Sequence, residues 1–358
     1  MILLTKISLF QFRNYSQESY SVEFPITCIT GKNGSGKTNM LDAVYNLCYT
    51  KSYFSSTVQP TIMHGTEGYR IEGSFNHYHK KETVVCKYKN NKKEISCGGV
   101  VYERQSDHIG KYAAVMVAPD DIEMINDGSE LRRKFIDGIL SQCDKTYLES
   151  LLQYQKVLIQ RNAWLKMYNS NPGIDGALLD YYNNLLSQNG TYIFDARTKF
   201  LNEFIPLLQQ YYQHFSDGKE EVNIDYQSDL KKSSLSIWLN EHLQHDIRYQ
   251  RTLRGIHKDD FLFLMDGNAL KNYGSQGQKK SFLFSLKLAQ FEYLKKKMGS
   301  SPILLLDDVF EKLDQQRMEA LLKIISNPIF GQVILTDTHE NRVSAAFGNE
   351  KAIGFIRL

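Results

Sequence analysis

Hydrophobic and polar positions follow three successive rhythms along this chain. "LLTKISLFQF" and "YSVEFPITCIT" are rich in β-branched and aromatic residues with partial alternation, which predicts strands. "YRIEGSF", "ETVVCKYK" and "AAVMVA" predict further strands, so the first third is a sheet-rich α/β unit. The rhythm changes near Pro119. From "DIEMINDGSELRRKFIDGILSQCD" through "TYLESLLQYQKVLIQRNAWLKMY" to "ALLDYYNNLLSQNGTYIFDARTKFLNEFIPLLQQYYQHF", apolar residues recur at helical spacing. Leu148, Leu151, Leu152, Leu158, Ile159 and Leu165 mark the stripe, and "NSNPGIDG" (169–176) predicts a turn between two helices. Strand character returns at "GIHKDDFLFLMDG", and "SPILLLDDVF" and "GQVILTDT" predict two short buried strands. The pattern therefore predicts an α/β head assembled from segments 1–118 and 255–358, interrupted by a mainly helical domain over 119–254.

Composition narrows the class only by exclusion. With 358 residues, 42% apolar and 23% charged, the chain is long enough for a substantial core and has the make-up of an ordinary globular protein. Its five cysteines are far apart and include no C-x-x-C pair, which argues against a zinc site or a disulfide framework and points to a reducing cytosol. No stretch approaches the roughly 20 apolar residues that span a bilayer, and "MILLTKISLFQFRNY" lacks the pattern of a signal peptide. A net charge of +3 neither requires nor excludes nucleic acid, so any DNA site must be a local patch.

Candidate chemistry begins with Gly31, Lys32, Asn33, Gly34, Ser35, Gly36, Lys37 and Thr38, which fit the phosphate-binding P-loop G-x-x-x-x-G-K-[ST]. A predicted strand runs into this loop. After it, "TNMLDAVYNLCY" places Met40, Leu41, Val44 and Leu47/Cys48 on one helical face. Backbone N–H groups and the positive helix end of such a loop converge on phosphates. Lys37 would reach the outer phosphates and Thr38 would ligate Mg²⁺. The second element, "ILLLDDVFEKLD" (303–314), predicts a buried strand carrying Asp307 and Asp308 at its carboxyl end. Successive strand residues face opposite ways, so the two acids suit different tasks: Asp307 for holding Mg²⁺ and Asp308 for polarising water. Third, Ser275, Gln276, Gly277 and Gln278 precede a strongly periodic helix. A small-residue loop there is either a plain helix cap or a second phosphate-seeking loop. One nucleotide needs only one P-loop, so the second reading places a nucleotide between two protomers.

Taken in order, these motifs resemble the ABC-type P-loop ATPase heads of the SMC group, and more closely the RecF family of bacterial DNA replication and recombinational repair proteins. The resemblance extends over "GKNGSGKTNMLDAVYNL", "APDDIEMINDGSELRRKFID", "YQKVLIQRNAWL", "RGIHKDDFLF", "YGSQGQKKSFLFSLKLAQ" and "ILLLDDVFEKLD". It implies an α/β head with an inserted, mainly helical lid, ATP and Mg²⁺ as cofactors, and an ATP-dependent homodimer. Ser275 to Gln278 would act on the partner's ATP, Asp308 would be the catalytic carboxylate, and Asp314 would lie in a loop that crosses the dimer interface. The resemblance further implies a weak ATPase, binding to duplex or gapped DNA, and partnership with RecR and RecO in loading RecA, in a cytoplasmic protein of the DNA-damage and SOS responses. Thr336, Asp337, Thr338 and His339 all follow the strand where such heads carry a switch residue. Three places depart from the family pattern: "GIHKDD" stands where G-P-H-R-D-D is usual, with Ile256 and Lys258 as the changes, and Lys280 and Phe54 stand where arginines are usual. Lysine keeps the charge but loses the planar fork.

Other features carry less. Arg132-Arg133-Lys134, Lys279-Lys280 and "YKNNKKE" (88–94, a charged hairpin tip) are basic runs suited either to solvent or to DNA phosphates. His257 has no second ligand at metal spacing and is either structural or nucleotide-adjacent. A transporter subunit is disfavoured by the long helical insertion and by S-Q-G-Q in place of L-S-G-G-Q. Lys37 and Asp307 lie only 270 positions apart without sustained heptads, which excludes a long coiled-coil protein. The remaining alternative is a P-loop phosphotransferase or another ABC-type ATPase that does not act on DNA.

Overall fold

The computed structural model describes residues 2–77, 80–170, 176–216, 218, 220–309, 315–347 and 353–358. They form two compact units. One comprises Met1–Ile122, Tyr211–Asp217 and Lys280–Leu358, and the other Glu123–Gln210 and Gly218–Lys279.

The first unit holds two sheets. β1 (Ile2–Phe12), β2 (Tyr15–Ser21), β4 (Tyr69–His77), β5 (Lys80–Lys89), β6 (Lys92–Cys97) and β7 (Val100–Val101) form an antiparallel sheet in the order β2-β1-β4-β5-β6-β7. Apolar residues alternate inward along β1, and a register shift between Leu4 and Lys6 restores Ile7 and Leu9 to the core. The other sheet is parallel: β3 (Ile26–Thr30), β8 (Ala114–Val117), β12 (Ile303–Leu306), β13 (Val333–Asp337) and β14 (Ile353–Arg357), in the order β14-β3-β13-β12-β8. Its four strands β3, β8, β12 and β13 are buried along their whole length, so their apolar residues are not confined to alternate positions. "YSVEFPITCIT" thus holds the last two residues of β2 and the whole of β3, which lie in different sheets. Helix Lys37–Tyr49 is buried almost all round instead of on one face.

Gln332 joins the sheets. This wholly buried amide accepts from the Leu4 N–H at 2.8 Å and donates to the Leu4 carbonyl at 2.8 Å and the Val22 carbonyl at 2.7 Å. Buried polar groups are tolerated when bonded in this way.

The second unit combines helices Glu123–Asn126, Ser129–Cys143, Lys145–Ser170 and most of Gly176–Tyr212 with a three-stranded antiparallel sheet. That sheet, β9 (Val222–Gln227), β10 (Asp260–Met265) and β11 (Asn268–Ala269), corrects the expected boundaries. β10 pairs with β9 from Asp260↔Gln227 to Met265↔Val222, so the segment after Gly255 belongs with the helices as far as Lys279. Conversely, Pro119–Ile122 and Tyr211–Asp217 belong with the first unit.

Candidate functional site

β3 delivers the chain into the glycine-rich loop, and the helix begins at Lys37. Gly36 has φ 112°, and a Cβ there would lie 2.6 Å from the Asn14 amide, so only glycine fits. The turn between β1 and β2 clasps the loop from behind. Asn14 Nδ2 donates to the Ser35 carbonyl at 2.9 Å, the Tyr15 hydroxyl donates to the Gly36 carbonyl at 3.0 Å, and Asn39 Nδ2 donates to Asn14 Oδ1 at 2.8 Å. Sequence reasoning missed Asn14 and Tyr15, because "RNY" after a strand has no spacing signature. Lys37 is buried, and its ammonium donates to the carbonyls of Gly31 at 2.9 Å and Lys32 at 3.3 Å, inside the loop it closes. The Ser35 hydroxyl is buried without a hydrogen-bond partner among the described residues.

Asp307 and Asp308 follow β12 directly, as the sequence predicts. The Thr38 hydroxyl, 269 positions away, donates to the two Asp307 carboxylate oxygens at 2.9 and 3.0 Å. From the other side Thr336, at the end of β13, donates to Asp307 Oδ1 at 2.9 Å and accepts the Asp308 N–H at 2.8 Å. Burial pushes the Asp307 carboxyl up to about 6, and the neighbouring Asp308 adds to this, against the hydrogen bonds from Thr336 and Thr38. Asp308 is partly exposed and adopts φ 44°, a left-handed conformation that few residues other than glycine take.

These residues fit a nucleotide with a hard divalent cation. A buried carboxylate beside a threonine hydroxyl is the sparse oxygen donor set that Mg²⁺ takes when it keeps waters and phosphates as its remaining ligands. The unpartnered Ser35 hydroxyl and the inward-turned Lys37 ammonium are donors available to phosphate oxygens.

Ser275 and Gln278 form a reciprocal cap at the start of helix Gln276–Met298. The Ser275 hydroxyl accepts the Gln278 N–H at 3.2 Å, and Gln278 Oε1 accepts the Ser275 N–H at 2.6 Å. Gln278 Nε2 also donates to Glu220 at 2.5 Å, while Ser275 and Gln276 remain exposed. The loop therefore is a helix cap, and its outer residues are open to a partner. Asp314 lies outside the described residues. Of the four positions considered for the switch, Thr336 is occupied between the two acids and Asp337 is buried. Thr338 and the exposed His339 bond to each other at 2.7 Å.

A family model described as "RecF/RecN/SMC N terminal domain" matches residues 3–356. A Flavobacterium johnsoniae protein named "DNA replication and repair protein RecF" is 43% identical over 343 residues, covering 96% of each chain. The chain belongs to the RecF family. Two solved structures agree in fold. One, described as "Structure of the recombination mediator protein RecF-ATPrS in RecFOR pathway", has a TM-score of 0.89 at 28% identity and covers 99% of this chain and 96% of its own. The other, described in the same words with RecF-ATP, has a TM-score of 0.88 at 29% identity and covers 95% and 92%. The fold is that of the α/β ABC-type ATPase heads of RecF and SMC proteins.

Within this RecF-family chain, "GIHKDD" is architecture. Arg197 is wholly buried and spends all three guanidinium nitrogens. Nη1 donates to Asp259 Oδ2 at 2.9 Å and to the Ile256 carbonyl at 3.0 Å, Nη2 to Asp137 Oδ1 at 2.9 Å, and Nε to Asp137 and Tyr147 at 3.2 Å. Arg132 holds Asp260 through two bonds of 2.8 and 3.0 Å, and Arg133 donates to the Asp259 carbonyl at 2.6 Å. His257 bonds to the Tyr154 hydroxyl at 2.9 Å and the Thr252 carbonyl at 3.1 Å; burial pulls its pKa down to about 4, so it is a neutral structural histidine. Arg132 and Arg133, candidates for DNA phosphates by sequence, are thus committed inward, and Lys279 donates to Asn126 and to the Lys271 carbonyl. Lys89 and Lys92 at the predicted hairpin tip are exposed. Phe54, at one of the family departures, stands edge-on to Tyr53.

Proposed function

We propose that this RecF-family chain binds Mg²⁺-ATP at Gly31 to Thr38, dimerises through that nucleotide on duplex or gapped DNA, and releases the DNA by slow hydrolysis. The observation that carries the reading is the meeting of Thr38 and Asp307 at 2.9 Å behind a P-loop whose backbone the β1–β2 turn holds in place. Similarity to solved RecF structures described with ATP supports it. Lys37 exchanges loop carbonyls for outer-phosphate oxygens, Thr38 and Asp307 hold the cation, and Asp308 orients and deprotonates water. Bound Mg²⁺ supplies charge neutralisation across the outer phosphates. Ser275 to Gln278 of one protomer complete the site of the other. The partnership with RecR and RecO in loading RecA belongs to this proposal by family membership. Many ABC-type ATPases carry glutamate where this chain has Asp308; the shorter side chain places the base less favourably, which makes hydrolysis a timer for the DNA-bound dimer.

The test combines calorimetry, sedimentation and DNA binding. Lys37→Ala should lose ATP affinity and ATP-driven dimers, while Ser275→Arg should bind ATP as a monomer but fail to dimerise. Wild-type affinity for duplex DNA with ATP should fall linearly with salt on a log–log plot, at about −0.9 per phosphate contact. Unchanged ATP affinity in Lys37→Ala would overturn the site. No DNA binding with ATP present would return the chain to a P-loop phosphotransferase or an ATPase that does not act on DNA.

A further inference from the structure

We propose that Thr336 is a positioning residue for hydrolysis, its single hydroxyl assigning Asp307 and Asp308 to separate tasks. The inference rests on the reading of Asp307 as cation holder and Asp308 as base. β12 and β13 run parallel with Leu306 beside Leu335, so the next residue of each strand, Asp307 and Thr336, are also neighbours. Thr336 is 1% exposed, so its hydroxyl is shielded from bulk solvent.

A hydroxyl has one proton and two lone pairs. One lone pair takes the Asp308 N–H at 2.8 Å. The proton serves one carboxylate at a time: Asp307 Oδ1 lies at 2.9 Å and Asp308 Oδ1 at 3.3 Å, so it goes to Asp307. Asp308 therefore keeps its carboxylate lone pairs for a water, while Asp307 has donors from Thr38 on one side and Thr336 on the other. The same hydroxyl also maintains the backbone of the base. At φ 44° Asp308 sits in a region that side chains with a Cβ enter at a cost, and the N–H to Thr336 bond is what opposes its relaxation. Losing that bond would turn the carboxylate away without touching the phosphate loop.

The test uses the full chain and three variants. Thr336→Val keeps the shape and removes the hydroxyl, Thr336→Ser restores the hydroxyl, and Asp308→Asn removes the base. In the nucleotide-free protein, the Asp308 amide should exchange with deuterium about tenfold faster or more in Thr336→Val, and return to the wild-type rate in Thr336→Ser. With ATP, Thr336→Val should lose phosphate release by about 10- to 100-fold with KM and fluorescent-ATP affinity within about threefold, and Thr336→Ser should stay within about threefold of wild type. Combined with Asp308→Asn, Thr336→Val should cost nothing more, because the base it positions is gone. Turnover of Thr336→Val within about twofold of wild type, parallel loss of affinity and turnover, or additivity with Asp308→Asn would each overturn the assignment. These failures are distinct from failure of the parent reading, in which wild type itself neither binds nor hydrolyses ATP and both proposals fall together.

Discussion

The acidic pair after β12, with Asp307 buried and Asp308 half-buried, and the arginine cluster around Arg197 are both rich in carboxylates, yet they use their polar atoms in opposite ways. Around Arg197 every guanidinium nitrogen has an acceptor, and Asp259 takes a further bond from Tyr226 at 2.6 Å. Such a network has nothing left to offer a ligand. At the P-loop, a serine hydroxyl lacks a partner among the described residues, a lysine is turned onto its own loop, a carboxyl is pushed up to about 6, and a non-glycine residue stands in left-handed conformation. Buried polar groups that are fully bonded specify a structure, whereas the unmatched and strained groups at the P-loop are those that the proposed nucleotide and cation would complete.

The sharpest way to break this contrast is Arg197→Ala. It strands Asp137 and Asp259, so the second unit should lose about 3–5 kcal/mol in urea unfolding. A loss below about 1 kcal/mol would place the cluster among dispensable ion pairs. At the other pole, Asp308→Asn should reduce phosphate release by about a hundredfold, or about 2.7 kcal/mol, while unfolding stability stays within about 0.5 kcal/mol, because asparagine also accepts left-handed backbone. A large stability loss would show that Asp308 serves the fold. Asp307→Asn should act in the reverse sense on stability. Because the folded-state pKa of Asp307 is raised from 3.8 to about 6, its penalty develops as pH rises through that window and is complete above it. The nucleotide-free variant should then be more stable than wild type by about 1–2 kcal/mol at pH 8, with no advantage at pH 3, and should fail to assemble with Mg²⁺. Thermal scans at the two pH values decide this. The smallest effect belongs to Ile256→Pro, which restores the family-typical residue. Ile256 opens a 3₁₀ turn and its carbonyl, which proline retains, is the Arg197 acceptor. Gly255 before it has ψ 177°, which proline accepts, so stability should change by less than about 0.5 kcal/mol.

The parts of the site fixed by spacing were legible in the sequence. The P-loop, the acidic pair and the loop before helix Gln276–Met298 are contiguous motifs, and a strand or helix on either side is enough to recognise them. The helices of the second unit were legible from their period. What escaped depends on register between distant segments. The alternation of Val222, Ile224 and Tyr226 in β9 was passed over within a helical stretch, and with it the partner that draws β10 into the second unit. Asn14 and Tyr15 reach the site only because β1 turns behind the loop, and Thr336, one of four switch candidates in the sequence, is singled out only because β13 lies beside β12. The basic pairs misled because charge in sequence does not say which way a helix faces: Arg132 and Arg133 point to Asp260 and the Asp259 carbonyl.

The clasp made by Gln332 has a consequence for synthesis on the ribosome. Its partners Leu4 and Val22 emerge more than 300 residues earlier. β3, which launches the nucleotide loop, is flanked in the finished sheet by β13 and β14, both of which are made more than 300 residues later. At synthesis rates of about 5–20 residues per second, the strand beneath the P-loop waits roughly 15 seconds or longer with both edges unpaired. The nucleotide loop therefore lacks its flanking strands until β13 and β14 have been made, and during that interval β3 is an open edge for mispairing and a natural client surface for chaperones.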